Sequence, residues 1–191
     1  LSPLDGRYRA SVEALGEHLS EAGLNRARVH VEVEWLLFLA DRGMFGVAPV
    51  DADAAAALRS WAADFGQAEI DTLAELEATT RHDVKAVEYL VRQRLAAQGL
   101  DNLAELTHFA CTSEDVNNLS YGVTLHAALF EVWLPRFDAV LAKLRELALE
   151  HRAQPMLAHT HGQPATPTTF GKELAVVAHR LQRQRDRIVA V

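Results

Sequence analysis

Apolar side chains, with one histidine among them, recur at alternating steps of four and three residues between positions 119 and 147. This spacing puts them on one face of an α-helix, as in the seam of a helix bundle. It predicts one long helix over residues 114–150, bent at Pro135, because the pattern continues beyond the proline. The seam positions are Leu119, Val123, His126, Phe130, Trp133, Phe137, Val140, Leu144 and Leu147.

A second apolar stripe predicts another long helix over residues 169–191, and two such helices begin a bundle. Its positions are Phe170, Leu174, Val177, Leu181 and Ile188. Strand patterns are sparse, and shorter helices are predicted over residues 9–20, 25–42, 51–64, 67–79 and 83–98. We therefore expect an all-α fold, with a short-helix N-terminal domain at residues 1–100 and the truncated start of a central helical bundle at residues 101–191.

Composition excludes several classes of function. The net charge of −7 argues against nucleic acid as the main partner, because nucleic-acid binders usually carry a basic face. A single cysteine, Cys111, leaves no disulfide within the chain and favours a cytoplasmic location. No apolar run is long enough to predict a membrane span. The nine histidines form no HExxH pattern, so we expect neither a metal nor another cofactor.

Three polar segments lie next to predicted helices and could carry chemistry. Residues 159–168 hold two histidines, an amide and several hydroxyls among Gly162, Pro164 and Pro167, which predicts a loop. The other two segments are residues 81–83 and residues 112–115. Polar loops on a rigid scaffold are where catalytic groups are commonly found.

Each of these segments also has a purely structural interpretation. Residues 113–115 can cap the long helix with a hydroxyl and acids, or the same helix start can bind a carboxylate or phosphate. Asp83 can be a helix cap, and His82 and His108 gain a functional meaning only if they meet another polar segment. Arg7 beside Tyr8 fits either a solvated surface pair or a clamp on a phosphate.

Four motifs, in order along the chain, closely resemble those of the bacterial adenylosuccinate lyases in the fumarase/aspartase superfamily. They are SPLDGRY at residues 2–8, TRHDVKAVE at residues 80–88, HFACTSEDVNN at residues 108–118 and THGQPATP at residues 160–167. The resemblance covers essentially the whole chain. It implies a carbon–nitrogen lyase that releases fumarate by β-elimination from adenylosuccinate, giving AMP, and from SAICAR, giving AICAR, in purine (IMP and AMP) biosynthesis.

The resemblance also implies roles for individual residues. The catalytic pair is His161, similar to the general acid that protonates the leaving nitrogen, and His82, similar to a histidine that orients or charges that acid. Thr112 and Ser113 resemble binders of the succinyl carboxylate. The remaining substrate contacts are Arg7 and Tyr8 for the phosphate and nucleotide, Arg81 and Asp83 in the same region, His108 near the phosphate end, Thr160 and Gln163.

Two departures from the family pattern bear on activity. His159 stands where many members have an arginine, which weakens any inference of a cation there. The family's loop of the form GSSxMPxKxNP, which supplies the catalytic base serine, does not occur in this sequence. The family builds its active sites from three subunits of a homotetramer. We therefore expect this chain to be the first part of a lyase and to be inactive alone.

Two alternatives stay open at this point. Another superfamily lyase, similar to argininosuccinate lyase, fumarase or aspartase, would share the fold and the Thr-Ser and Thr-His segments. A non-catalytic helical assembly module would use only the apolar seams. Binding of AMP would separate the first alternative from the purine enzyme, and a full-length variant lacking His161 would test the second.

Overall fold

The computed structural model describes residues 2–190, and its backbone divides into two compact units that meet between residues 129 and 130. The predicted all-α class is confirmed, with one small two-stranded sheet in addition. The helices of the first unit are α1 (Arg9–Leu19), α2 (Glu21–Asp41), α3 (Ala52–Ala63), α4 (Gln67–Thr80), α5 (Asp83–Ala97) and α6 (Ser113–Ala127). The domain boundary predicted near residue 100 stays a prediction.

Helix α2 is the centre of the first unit, and it packs against α1, α3, α5 and α6. Val29, Val33 and Leu36 on α2 are completely buried. They meet Leu58 of α3 and Val87 of α5 in one continuous apolar core. Burying each such side chain stabilises the fold by about 1.5–3 kcal/mol, so α2 is held firmly and can position the polar groups it carries.

Helix α6 packs on α2 through a face different from the predicted seam. Its buried residues are Val116, Ser120 and Thr124, whereas the seam residues Leu119 and Val123 are 61% and 44% exposed. The hydroxyl of Ser120 donates to the carbonyl of Val116 at 2.7 Å, which satisfies it within its own helix. Small side chains therefore form the contact between α6 and α2, and the larger apolar residues of the predicted seam are exposed.

The long helix predicted over residues 114–150 is interrupted once, where the proline was expected to bend it. A π-helical turn at residues 128–133 separates α6 from α7 (Leu134–Glu150), and Pro135 stands in the first turn of α7. Because proline has no N–H, the regular hydrogen bond to the carbonyl of Glu131 is absent. The wider turn just before the proline accommodates that break.

The second unit consists of α7, the strands β1 (Pro155–Thr160) and β2 (Gln163–Thr169), and α8 (Phe170–Val189). Helices α7 and α8 pack together, and Arg185 of α8 donates to both carboxylate oxygens of Asp138 of α7 at 2.8 and 3.0 Å. The strands pair antiparallel, with a register shift between Leu157 and His159.

The prediction of a loop at residues 159–168 was wrong, because these residues form most of a β-hairpin. Prolines had argued against regular structure, but a two-stranded ribbon has only edge strands, where the missing N–H of a proline is tolerated. His161 and Gly162, at φ of +52° and +73°, connect the strands. Two positive φ angles in a two-residue connection are the requirement of a type I′ turn.

The base of the hairpin depends on Gly171. The amides of Phe170 and Gly171 donate to the carbonyls of Gln154 and His151, each at 3.0 Å. A Cβ on Gly171 would lie 2.6 Å from the amide nitrogen of Arg152, so the backbones of α7 and α8 would have to separate.

Gly171→Ala is therefore expected to destabilise the second unit by about 1–3 kcal/mol, the usual cost of overpacking. Urea unfolding followed by circular dichroism measures the change. The matched control is Gly16→Ala in α1, where an added Cβ meets nothing within 4 Å and alanine should raise stability by up to about 1 kcal/mol. Equal effects of the two substitutions would contradict the close approach at Gly171.

Candidate active site

The segment around His82 joins two helices by a sharp turn. Arg81 ends α4 in the left-handed region, at φ +55°, and His82 caps α5. The ring Nδ1 of His82 accepts the backbone N–H of Lys85 at 3.2 Å. This contact fits a neutral ring with its proton on Nε2, because a protonated Nδ1 could not accept. The His82 side chain is 51% exposed, so a ligand can reach its ring.

Asp83 is tied to α2 by an arginine that the sequence did not single out. Its Oδ2 accepts from Nη2 of Arg28 at 2.7 Å. Partial burial of the carboxyl acts to raise the pKa of Asp83, but the N–H of Val84 and the Arg28 guanidinium outweigh it and hold the pKa below its usual value. Asp83 is therefore a fixed negative charge at the start of α5.

Arg28 also reaches the third of the four motifs. Its side chain is only 6% exposed, and Nε donates to Oδ1 of Asn117 at 2.9 Å while Nη1 donates to Oδ1 of Asn25 at 2.9 Å. One guanidinium on α2 thus fixes the start of α5 and the first turns of α6 relative to each other.

His108 is held by a second buried charge on the same helix. Glu32 lies one helical turn beyond Arg28 on α2, is completely buried, and accepts both the backbone N–H of His108 at 2.9 Å and its ring Nδ1 at 2.5 Å. Burial raises the pKa of Glu32, and the contacts with His108 oppose that rise. Nearby, Nε1 of Trp35 donates to the carbonyl of Phe109 at 2.8 Å and anchors the same turn.

The start of α6 is capped as the structural interpretation predicted, with Thr112 rather than Ser113 as the cap residue. The backbone N–H and hydroxyl of Thr112 donate to Oδ2 of Asp115 at 2.7 and 2.8 Å, and the N–H of Asp115 points back to the Thr112 hydroxyl. The backbone hydrogen bond from Thr112 and that from its hydroxyl lower the pKa of Asp115. A substrate carboxylate would have to compete with Asp115 for the donors of Thr112, whereas Ser113 stands at the first helical position.

The other predicted residues belong to the segment before α1 and to the hairpin. Arg7 and Tyr8 are exposed at the start of α1, with the guanidinium carbon 5.4 Å from the centre of the Tyr8 ring. Thr160 pairs with Gln163 across the hairpin, and His161 is exposed at its tip. His161 is a non-glycine residue in the left-handed region, a backbone conformation that costs free energy and is frequent at functional sites.

An apolar groove of about 590 Å³ lies between α2 and α6, beside the His108 turn. Trp35, Phe38, Leu119 and Val123 line it together with Cys111. Burial raises the pKa of the Cys111 thiol, as do the charges of Glu32 and Asp115, so the thiol is a weak nucleophile here. The lining offers packing surface and little polar chemistry.

Two classes of site are not indicated. Within residues 2–190, no three histidine, cysteine, aspartate or glutamate side chains cluster closely enough to hold a metal ion. The helices of the described part include none that is both long and apolar enough to cross a bilayer.

Comparison with known proteins assigns this chain to a family. A family model described as a lyase matches residues 6–191. The chain belongs to this lyase family. Among curated relatives, the adenylosuccinate lyase of Haemophilus influenzae is 46% identical over 186 residues, which is 96% of this chain and 41% of that protein. Those of Escherichia coli K12 and Vibrio cholerae are 45% identical, over 96% and 100% of this chain.

These identities confirm the resemblance that the four motifs indicated. The chain spans about two fifths of the length of the curated relatives it matches. Solved structures agree on the fold. A 3-carboxy-cis,cis-muconate lactonizing enzyme from Pseudomonas putida gives a TM-score of 0.72 at 24% identity, over 93% of this chain and 39% of that one. A fumarate lyase from Mesorhizobium gives 0.73 at 22% identity, over the same shares.

Proposed function

We propose that the complete protein carrying this chain is an adenylosuccinate lyase. It would cleave adenylosuccinate to AMP and fumarate, and SAICAR to AICAR and fumarate. The observation that carries the proposal is the identity of 45–46% to adenylosuccinate lyases across nearly the whole chain. The geometry supports it, because Arg28 of α2 joins Asp83 of the second motif to Asn117 of the third, as parts of one site should be joined, and Glu32 one turn later holds His108 of the third.

The chemistry of the elimination fits these residues. A proton leaves the carbon beside a carboxylate, the charge that develops is stabilised by fixed donors, and the C–N bond breaks as the leaving nitrogen is protonated. His161 is the proposed acid, since a histidine can donate a proton near neutral pH. His82, with its proton on Nε2, is the proposed partner that orients substrate or acid. Residues outside this chain would supply the base.

Binding of the anionic groups is divided among the remaining predicted residues. Ser113 and Thr112 at the start of α6 would bind the succinyl carboxylate, where the helix dipole favours an anion. Arg7, Tyr8, Arg81 and His108 would bind the nucleotide and its phosphate, with Asp83 in the same region. Thr160 and Gln163 would contact substrate from the hairpin. A homotetramer with shared active sites and a cytoplasmic location stay predictions.

The test is fumarate release by the purified complete protein. With adenylosuccinate we expect fumarate and AMP in equal amounts, separated and quantified by chromatography. Argininosuccinate in a parallel reaction is the control, and it should give no fumarate. Release from argininosuccinate alone would identify a different superfamily lyase, and no release from either would contradict the proposal.

A further inference from the structure

Both oxygens of the buried Glu32 carboxylate contact His108. Its Oε1 lies 2.5 Å from the ring Nδ1 of His108, and its Oε2 accepts the backbone N–H of the same residue at 2.9 Å. The Glu32 side chain is 0% exposed, whereas the His108 side chain keeps 19% exposure. A charge buried this fully is retained only with close partners, so the pair acts as one unit.

The two contacts fix both the backbone and the ring of His108. The residue is in the left-handed region at φ +59°, as is Ala110, two residues later. The N–H bond holds that disfavoured conformation, and the Nδ1 bond sets the direction of the ring. Because a carboxylate only accepts, Nδ1 must carry a proton, and Nε2 is the nitrogen left for a ligand.

The surroundings of Glu32 act on its pKa in opposite directions. Burial raises the pKa of Glu32, and the negative charge of Glu88 on α5 acts in the same direction, while His108 opposes both. Glu88 is itself paired with Lys85 at 2.7 Å and with Arg92 at 3.2 Å.

We propose that Glu32 is a positioning residue that holds Nδ1 of His108 so that Nε2, which donates an N–H when the ring is protonated, is presented to the anionic phosphate end of the nucleotide. The inference rests on the proposed function for the identity of the ligand. The fixing of the ring is independent of it. A purely structural role, in which Glu32 only satisfies the turn's backbone N–H, would not need the ring contact.

The decisive variant is Glu32→Gln in the complete protein. Glutamine has one accepting oxygen, so its NH₂ group must face either the backbone N–H or the Nδ1–H of His108, and the ring is expected to turn. KM for adenylosuccinate should rise about tenfold, with kcat changed less than about threefold, the scale of losing a hydrogen bond to a charged group. Glu32→Asp keeps the charge and should recover part of the affinity.

The matched control is Glu34→Gln on the same helix. Glu34 pairs with Arg59 at 2.6 Å and makes no contact with His108 among those the structure shows, so KM should not change. In a His108→Gln background, Glu32→Gln should add no more than about a twofold change, because coupled residues are not additive. An unchanged KM in Glu32→Gln, or the same loss with and without His108, would overturn the proposal.

Crystal structures of the complete protein and its Glu32→Gln variant provide a readout that needs no substrate. The wild type should show Nδ1 of His108 on Glu32, and the variant should show a rotated ring. A wild-type ring turned away from Glu32 would overturn the positioning role even if the enzyme is active. A correct ring in a protein that does not cleave adenylosuccinate would instead contradict the proposed function alone.

Discussion

Replacing His161 with asparagine is expected to lower kcat for fumarate release by the complete protein by about 10²–10⁴-fold, the usual contribution of a general acid or base. Asparagine cannot protonate the leaving nitrogen, yet it tolerates the left-handed conformation that this turn position requires. His161→Ala would combine loss of the acid with strain in the hairpin. The asparagine variant therefore isolates the chemical role.

Steady-state kinetics with adenylosuccinate measure the effect, and His179→Ala is the matched control. His179 is an exposed histidine on α8, in the same unit but outside the hairpin, and its removal should leave kcat within about twofold. A kcat for His161→Asn close to that of the wild type would remove His161 from the mechanism and reopen the interpretation of the chain as an assembly module.

The helices could be predicted from the sequence because their signals are local. Residue types that favour helix, interrupted by glycine and proline breakers, placed α1, α3, α4 and α5 within one or two residues of their observed limits. The hairpin at residues 155–169 could not be predicted in the same way. Its strands contain Pro155, Pro164 and Pro167, and only the absence of neighbouring strands makes those prolines acceptable.

The motif residues were also found from the sequence, whereas the residues that hold them were not. Arg28 and Glu32 lie at i and i+4, a spacing typical of an exposed ion pair on a helix surface. Their burial depends on α5, on α6 and on the turn at residues 107–111, which come 50 to 90 residues later along the chain. Nothing local marks this pair, because the same helix also carries the charged residues Arg26 and Glu34.

The buried face of α6 also could not be predicted from the apolar pattern. The strongest apolar stripe, with Leu119 and Val123, predicts the buried side of an isolated helix. In the structure, the buried side of α6 instead carries Val116, Ser120 and Thr124, and Asn117 beside Val116 accepts from Arg28 of α2. The buried side therefore combines small side chains with a polar contact between motifs, which an apolar pattern does not reveal.

Arg28→Met is expected to destabilise the first unit by about 2–3 kcal/mol, which is below the cost of breaking a fully buried ion pair because Asp83 is half exposed. Methionine fills a similar volume, but Asn25, Asn117 and Asp83 lose their donor. Urea unfolding followed by circular dichroism measures the change. Arg59→Met, which removes a surface pair with Glu34, should cost no more than about 1 kcal/mol.

The pH dependence of the cost of Arg28→Met distinguishes the charge contact with Asp83 from the packing of the Arg28 side chain. Asp83 has a pKa lowered below the unfolded value of 3.8, so its pairing with Arg28 stabilises the fold above pH 3.8 and is lost as the pH falls through the folded pKa. The cost of Arg28→Met should therefore be constant near neutral pH and shrink in acid. A cost that does not shrink in acid would show that packing and the two asparagine contacts, rather than the charge of Asp83, account for the stabilisation by Arg28.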